Sequence, residues 1–189
     1  VTETIIDQSF ENMNFSGQKM PAKEYDNCVF KHCDFSNVDM SVITFLECRF
    51  ENCDFTSVML KNTTVQNVVC VECKMQGVNF SICNDFMFSI QFKNCNLNYA
   101  SFYGFVIKNT LFDSCLLKET DFTDADLTGS NFSNSELSGA IFNNTIAEKV
   151  DFTLANNFDI DPSQNKLKNA KFSKNNLIGL LRKFNINIS

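Results

Sequence analysis

Residues 120–142 read TDFTDADLTGSNFSNSELSGAIF. Phe122, Leu127, Phe132, Leu137 and Phe142 recur at every fifth position. That period fits neither an α-helix at about 3.6 residues nor a flat strand at about 2. Taking the large apolar residue as centre i, a small residue recurs at i−2 (Ala125, Ala140). Asp or Asn recurs at i−1 (Asp121, Asp126, Asn131), and Ser or Thr at i+1 (Thr123, Thr128, Ser133). Positions i−2 and i lie two apart, so both point the same way from a short extended segment. A polar corner must then reset the direction. A chain of short sides and corners winds into a solenoid whose interior is filled by alternating small and large side chains.

Working outward, the register holds over most of the chain. Stepping by five from Phe10 reaches Phe80 with an apolar or aromatic residue at every stop. The phase slips by two residues across 81–86, resumes at Met87 and runs to Phe152, giving 29 centres, of which 15 are Phe. Self-similarity at a fixed period marks a repeat architecture. A four-sided coil of 20 residues stacks Phe10, Phe30, Phe50, Cys70, Phe92, Phe112, Phe132 and Phe152 on one face. The second face stacks Phe15, Phe35, Phe55, Met75, Leu97, Leu117 and Leu137. The third stacks Met20, Met40, Leu60, Phe80, Phe102, Phe122 and Phe142. The fourth takes Tyr25, Phe45, Val65, Met87, Ile107, Leu127 and Ala147. Phe falls on Phe and Leu on Leu, which supports four sides. Phe30, Phe50, Phe92, Phe112, Phe132 and Phe152 are the expected core stack, and about seven coils at ~4.8 Å each make a rod near 35 Å long.

The cysteines invite a chemical reading, as in CRFENCDFTS at 48–57. Seven of the nine (Cys28, Cys33, Cys48, Cys53, Cys73, Cys95, Cys115) fall at i−2. Zinc needs four converging ligands, which a vertical ladder inside a packed wall does not offer. Parallel side-chain vectors on neighbouring coils also fit disulfide geometry poorly. Buried free Cys behaves as a small hydrophobe, and these residues are expected to be filler. His32 stands alone at a corner, and neither a G-x-S-x-G nor a P-loop is present. No enzyme, metal or cofactor is expected.

Charge is unevenly placed. Residues 1–160 hold 21 acids against 10 bases, a net of −11, and residues 161–189 hold Asp161 against Lys166, Lys168, Lys171, Lys174, Arg182 and Lys183, a net of +5. Glu119, Asp121, Asp124, Asp126, Glu136 and Glu148 fall in a 30-residue span without Lys or Arg. Glu47, Asp85, Glu119, Asp121, Asp124, Asp126 and Glu148 are the candidate contact acids of the third and fourth faces. No run reaches the ~18 apolar residues of a membrane span, and no signal peptide is recognised. A cytoplasmic protein with reduced cysteines is expected.

After Phe152 the pattern gives way, and the expected division is a repeat rod over 1–157 and a terminal segment over 158–189. Asp161-Pro162-Ser163 reads as a turn. Ser173 is a candidate N-cap, and Leu177, Ile178, Leu181 and Phe184 recur at helical spacing. Asn185–Ile188 alternates like a strand, with Ile186 apolar. A helix here covers the open solenoid end. Its leftover apolar face (Leu177, Ile178, Leu181, Phe184, Ile186) makes a homodimer the expected assembly.

The five-residue units over about 8–154 resemble the pentapeptide repeat family, whose consensus is A(D/N)LXX. The resemblance implies an all-β fold, a right-handed quadrilateral parallel β-helix, with a C-terminal capping and dimerisation helix. The Asp161-Pro162 turn, the KLKNAKF run at 166–172 and the LLRKFNINI ending at 180–188 are similar to the topoisomerase-protecting branch, the Qnr, MfpA and McbG types. That likeness implies a DNA-mimicking protein that binds DNA gyrase or topoisomerase IV, without binding nucleic acid or membrane itself. Protection from a quinolone or a toxin would follow. Several Qnr proteins carry two long loops, whereas this chain has only the short slip near 81–86. The other reading is a structural or scaffolding repeat protein with a different protein partner.

Overall fold

A computed structural model describes residues 3–186. The backbone winds as a four-sided parallel solenoid in which each coil hydrogen-bonds to the next. One face is a six-stranded parallel sheet of β2 (Ser9–Glu11), β4 (Val29–Lys31), β6 (Arg49–Glu51), β8 (Val68–Val71), β9 (Ile90–Lys93) and β10 (Phe112–Asp113). A second face is a four-stranded sheet of β1 (Thr4–Ile6), β3 (Glu24–Asp26), β5 (Thr44–Leu46) and β7 (Thr64–Gln66). The other two sides are joined by isolated parallel bridges such as Asp34↔Asp54 and Ser101↔Asp121. Phe10 pairs with Phe30 and Phe30 with Phe50, a register of one 20-residue coil. Cys70 pairs with Phe92, so the slip is absorbed within one coil.

The interior is aromatic. Phe30, Phe92, Phe112, Phe132 and Phe152 are fully buried, and Phe50 is nearly so. Rings stack along the first face at 4.8 Å (Phe10–Phe30), 4.7 Å (Phe112–Phe132) and 5.1 Å (Phe132–Phe152). Opposite faces meet edge to face across the interior, as in Phe112–Phe122 at 6.0 Å and 81°. Both arrangements suit the ring quadrupole.

Each repeat position has a physical task. At i−1, Asp or Asn accepts the i+1 backbone N–H: Ser36 N to Asp34 Oδ1 at 2.8 Å, Thr123 N to Asp121 Oδ1 at 2.9 Å, Ser133 N to Asn131 Oδ1 at 2.8 Å. These are Asx-type turns. At i+2 the backbone is left-handed, at φ +55° for Asn12 and +76° for Gly129. Asn holds this position repeatedly, tolerating the conformation as Gly does. That explains how a chain with 6 Gly turns at nearly every fifth residue. Val42 is the β-branched exception, at φ +58° and 61% exposed. Because such a residue is strained there by about 1–2 kcal/mol, Val42→Asn is expected to stabilise the rod by about 1 kcal/mol, read as a raised urea midpoint.

The i−2 cysteines are buried free thiols whose Sγ atoms donate to main-chain carbonyls, as Cys53 does to Phe30 O at 3.4 Å. Thr63, Thr120, Ser130, Ser135 and Thr145 make the same bond with hydroxyls, for example Ser135 Oγ to Phe112 O at 2.8 Å. The position therefore selects a small side chain with a donor. Burial pushes the Cys48 and Cys83 thiols up to about 12, so both stay protonated.

Several sequence expectations are corrected. Met87 is not a fourth-face centre: it is 67% exposed at φ +55°. The two extra residues swing Asp85–Met87 outward, and half-buried Phe88 packs edge-on to Phe105 at 4.8 Å. The ladder also continues beyond 157, through Ile146↔Lys166 and Asp151↔Lys171, and Phe172 stacks on Phe152 at 5.2 Å. The terminal helix is a pair of 3-10 segments, Lys174–Leu180 and Arg182–Phe184, and Ser173 makes no side-chain cap. Gly179 O accepts Ile160 N at 2.9 Å and so ties the tail to the rod. A Cβ on Gly179 would overlap Phe158, so only glycine lets the tail lie on that ring. Asn185 is left-handed, and residues 187–188 of the expected strand lie outside the described residues.

Candidate functional site

The candidate acids sit in two kinds of place. Asp121 and Asp126 occupy i−1, where the side chain caps a corner. Asp126 Oδ1 accepts Thr128 N at 3.0 Å and the Thr128 hydroxyl at 2.6 Å, and its Oδ2 pairs with Lys108 Nζ at 3.0 Å. Both carboxylates are half-buried and committed to the fold. Glu47, Glu119 and Asp124 occupy i+2, at φ +51°, +53° and +57°, and are exposed. A left-handed corner throws its side chain off the rod, so these acids carry the outward charge. Glu119 has Lys118 at 3.8 Å, and Asp124 accepts Asn144 Nδ2 at 2.6 Å.

Glu119, Asp121, Asp124 and Asp126 follow one another around two corners and two sides of a single coil, and half-buried Glu148 lies one coil further on the fourth side. Asp85 stands apart on the outward excursion, and Glu47 stands further back towards the N-terminus. The structure thus groups the 119–126 acids and Glu148, and separates Glu47 and Asp85 from them.

Hydrogen bonds favour the ionised form of several corner carboxylates. Ser41 holds Asp39, and Thr153 holds Asp151, below the ordinary carboxylate range. At Asp54 and Asp126 burial pushes the carboxyl up, but hydrogen bonds from Thr56 and Lys74, and from Thr128 and Lys108, outweigh it. Depressed folded values mean that the unfolded chain binds more protons in acid. The stabilisation is therefore full above the unfolded pKa near about 3.9 and is lost as pH falls through the lower folded values. The thermal midpoint is expected to be flat from about pH 6 to 5 and to drop below about pH 4.

One feature escaped the sequence reading. Phe86 and Met87 are each 67% exposed, beside Ile82 at 40% and Val106 at 47%. Asn84 holds the base of the excursion, accepting Phe86 N at 3.0 Å and donating to Thr64 Oγ1 at 3.1 Å. The signal was the apolar run Phe86-Met87-Phe88 at the phase slip, of which the five-residue register assigned only Met87 to the interior. At the other end, Leu177, Ile178, Phe184 and Ile186 are 42%, 44%, 55% and 52% exposed, while Leu181 is half-buried. Lys183 ties this end down by pairing with Asp161 at 2.5 Å.

Among the described residues, no group of three or more His, Cys, Asp or Glu is arranged to hold a metal ion, and no helix is long and apolar enough to cross a membrane. With its interior filled by side chains, the rod offers its outer surface for recognition.

No curated protein matches the sequence. Among solved structures the chain is similar to two trypsin-treated variants of QnrB1, described as a plasmid-mediated fluoroquinolone resistance protein. One shares 20% identity at a TM-score of 0.67, covering 100% of this chain and 98% of that one. The other shares 21% identity at a TM-score of 0.65, with 100% of both chains covered. A model described as a pentapeptide repeat region matches residues 23–102 and 43–122, and one for eight copies of the pentapeptide repeat matches 106–144 and 115–153. With period, ladder and family models coinciding over most of its length, the chain belongs to the pentapeptide repeat family.

Proposed function

We propose that this rod is a DNA-mimicking protein that binds a type II topoisomerase, gyrase or topoisomerase IV, and protects it from a quinolone or a toxin. The observation that carries the reading is a filled rod whose left-handed corners project carboxylates, over a body of net charge −11 in residues 1–160. The likeness of fold to fluoroquinolone resistance proteins supports it. B-DNA presents a charge every ~1.7 Å of axis, so the rod is a dilute mimic that offers a negative stripe to a basic DNA-binding surface. No bond is made or broken, and no enzyme activity or cofactor is part of the reading. The rod acts in the cytoplasm, without binding nucleic acid or membrane itself. Two copies join through Leu177, Ile178, Leu181, Phe184 and Ile186, which doubles the length of the stripe. Sedimentation tests the dimer: two chains at micromolar concentration support it, and a monomer rejects it.

The second reading is a scaffolding repeat protein with another protein partner. The exposed Phe86–Met87 knob favours it, because an aromatic anchor suits an apolar pocket better than a DNA saddle. Supercoiling by gyrase in the presence of ciprofloxacin separates the two. Restored supercoiling on adding the protein supports topoisomerase protection. Unchanged inhibition, with no capture of gyrase, supports the scaffold.

A further inference from the structure

We infer that the rod is two stacked blocks joined by a one-sided hinge in the coil spanning residues 58–80. Three independent observations meet there. First, the aromatic ladder is broken. Ring contacts link Phe10 through Phe55, and others link Phe80 through Phe172, but among the described residues no aromatic pair joins the two sets. The intervening centres are Leu60, Val65, Cys70 and Met75. Second, these smaller side chains leave a cavity of about 40 Å³, lined by apolar groups that include Met40, Leu60, Val65, Phe80 and Ile90. Third, the backbone ladder parts on one side only.

On the third side, Met40 N donates to Met59 O at 2.9 Å and Phe80 N to Ser101 O at 2.9 Å. The equivalent rung between Leu60 and Asn79 is missing, and no bridge joins Met59 to Asn79. On the fourth side the four-stranded sheet ends at β7, but Asn84 N donates to Thr63 O at 2.9 Å and Ser89 N to Val65 O at 3.0 Å on either side of the Asp85–Met87 excursion, so the coils stay joined there. On the first side the sheet runs unbroken through β6, β8 and β9, and on the second Asp54↔Lys74↔Asn96 is continuous. The rod is therefore strapped along three sides and open along the third side alone.

In a solenoid, stability is a sum of coil terms and nearest-neighbour interfaces, so one weak interface uncouples what lies on either side. A missing rung, lost ring contacts and a void each lower that interface term. The N-terminal block is the shorter, and its first coil is poorly covered, with the inward centres Ile5, Phe10 and Met20 only partly buried. It therefore opens at lower free energy than the capped C-terminal block. The hinge gapes on the third side, so bending changes the separation of Glu47 from Glu119 and Asp124. It is a property of the chain alone and stands whatever the partner.

Native-state hydrogen exchange of the full chain, read by mass spectrometry, tests it. Amides of 25–46 are expected to exchange about 100-fold faster than those of 92–152, as two separate opening units. Leu60→Phe, which restores a ring beside Phe80 and fills the void, is expected to narrow that gap about tenfold. A single protection level across both blocks in the wild type overturns the hinge, and so does an unchanged gap in a folded Leu60→Phe. If that variant does not fold, the wild-type comparison alone decides.

Discussion

Replacing Phe112 by alanine is expected to cost about 3–5 kcal/mol of folding stability, the largest single effect in the rod. Phe112 is fully buried, stacked on Phe92 at 5.4 Å and on Phe132 at 4.7 Å, and edge-on to Phe102 and Phe122. Its loss removes two stacked and two edge contacts and opens a void that the coils cannot close without breaking register. Total stability of a domain this size is about 5–15 kcal/mol, so about a fifth or more would vanish. Urea unfolding followed by circular dichroism measures it. The control is Phe86→Ala, which removes the same ring from a site 67% exposed and should move the midpoint little. Equal costs at the two positions would mean that the aromatic ladder is not what holds the rod.

Reversing the corner acids is expected to have the largest effect on recognition. Glu119→Lys with Asp124→Lys changes four charges at exposed corners, where neither carboxylate caps a turn. Affinity for the proposed topoisomerase is expected to fall about 100-fold at low ionic strength, with a smaller loss at high salt. Stability should barely change. Asp126→Lys is a poorer probe, because it removes the Thr128 cap and the Lys108 pair together. Unaltered affinity in the folded double variant would place the contact elsewhere, with the Phe86–Met87 knob as the next surface to test.

Much of this architecture was legible because a period of five leaves a strong trace. Phe112 falls one coil after Phe92, and like residues stack on like, so the four sides could be laid out before any coordinates. Three things were hidden, each for a physical reason. Met87 satisfied the apolar pattern, yet a two-residue excess must leave the wall somewhere, and it left at Asp85–Met87. The ladder from Lys166 to Phe172 was masked because Pro162 and polar residues fill one side, although the 20-residue register to Ile146 and Phe152 survives. The tail carried helical spacing, but spacing says nothing of where Gly179 O finds its donor.

The acids were the harder case. Asp at i−1 and Glu at i+2 look alike as charges in a sequence. Only the backbone separates them: one side chain turns back to cap its own corner, and the other leaves the surface at positive φ. Asp121 and Asp126 therefore belong first to the fold, while Glu119 and Asp124 are free to meet a partner. Surface ion pairs such as Lys74–Asp54 at 2.9 Å add little to stability, so the net negative charge is not explained by folding alone.

The most direct measurement is a binding titration of purified gyrase against this protein at low and high salt, with duplex DNA as competitor. The expected result is saturable binding at about 1 µM or tighter, displaced by DNA and weakened by salt. Absence of association up to about 10 µM, or binding that DNA and salt leave untouched, would contradict DNA mimicry.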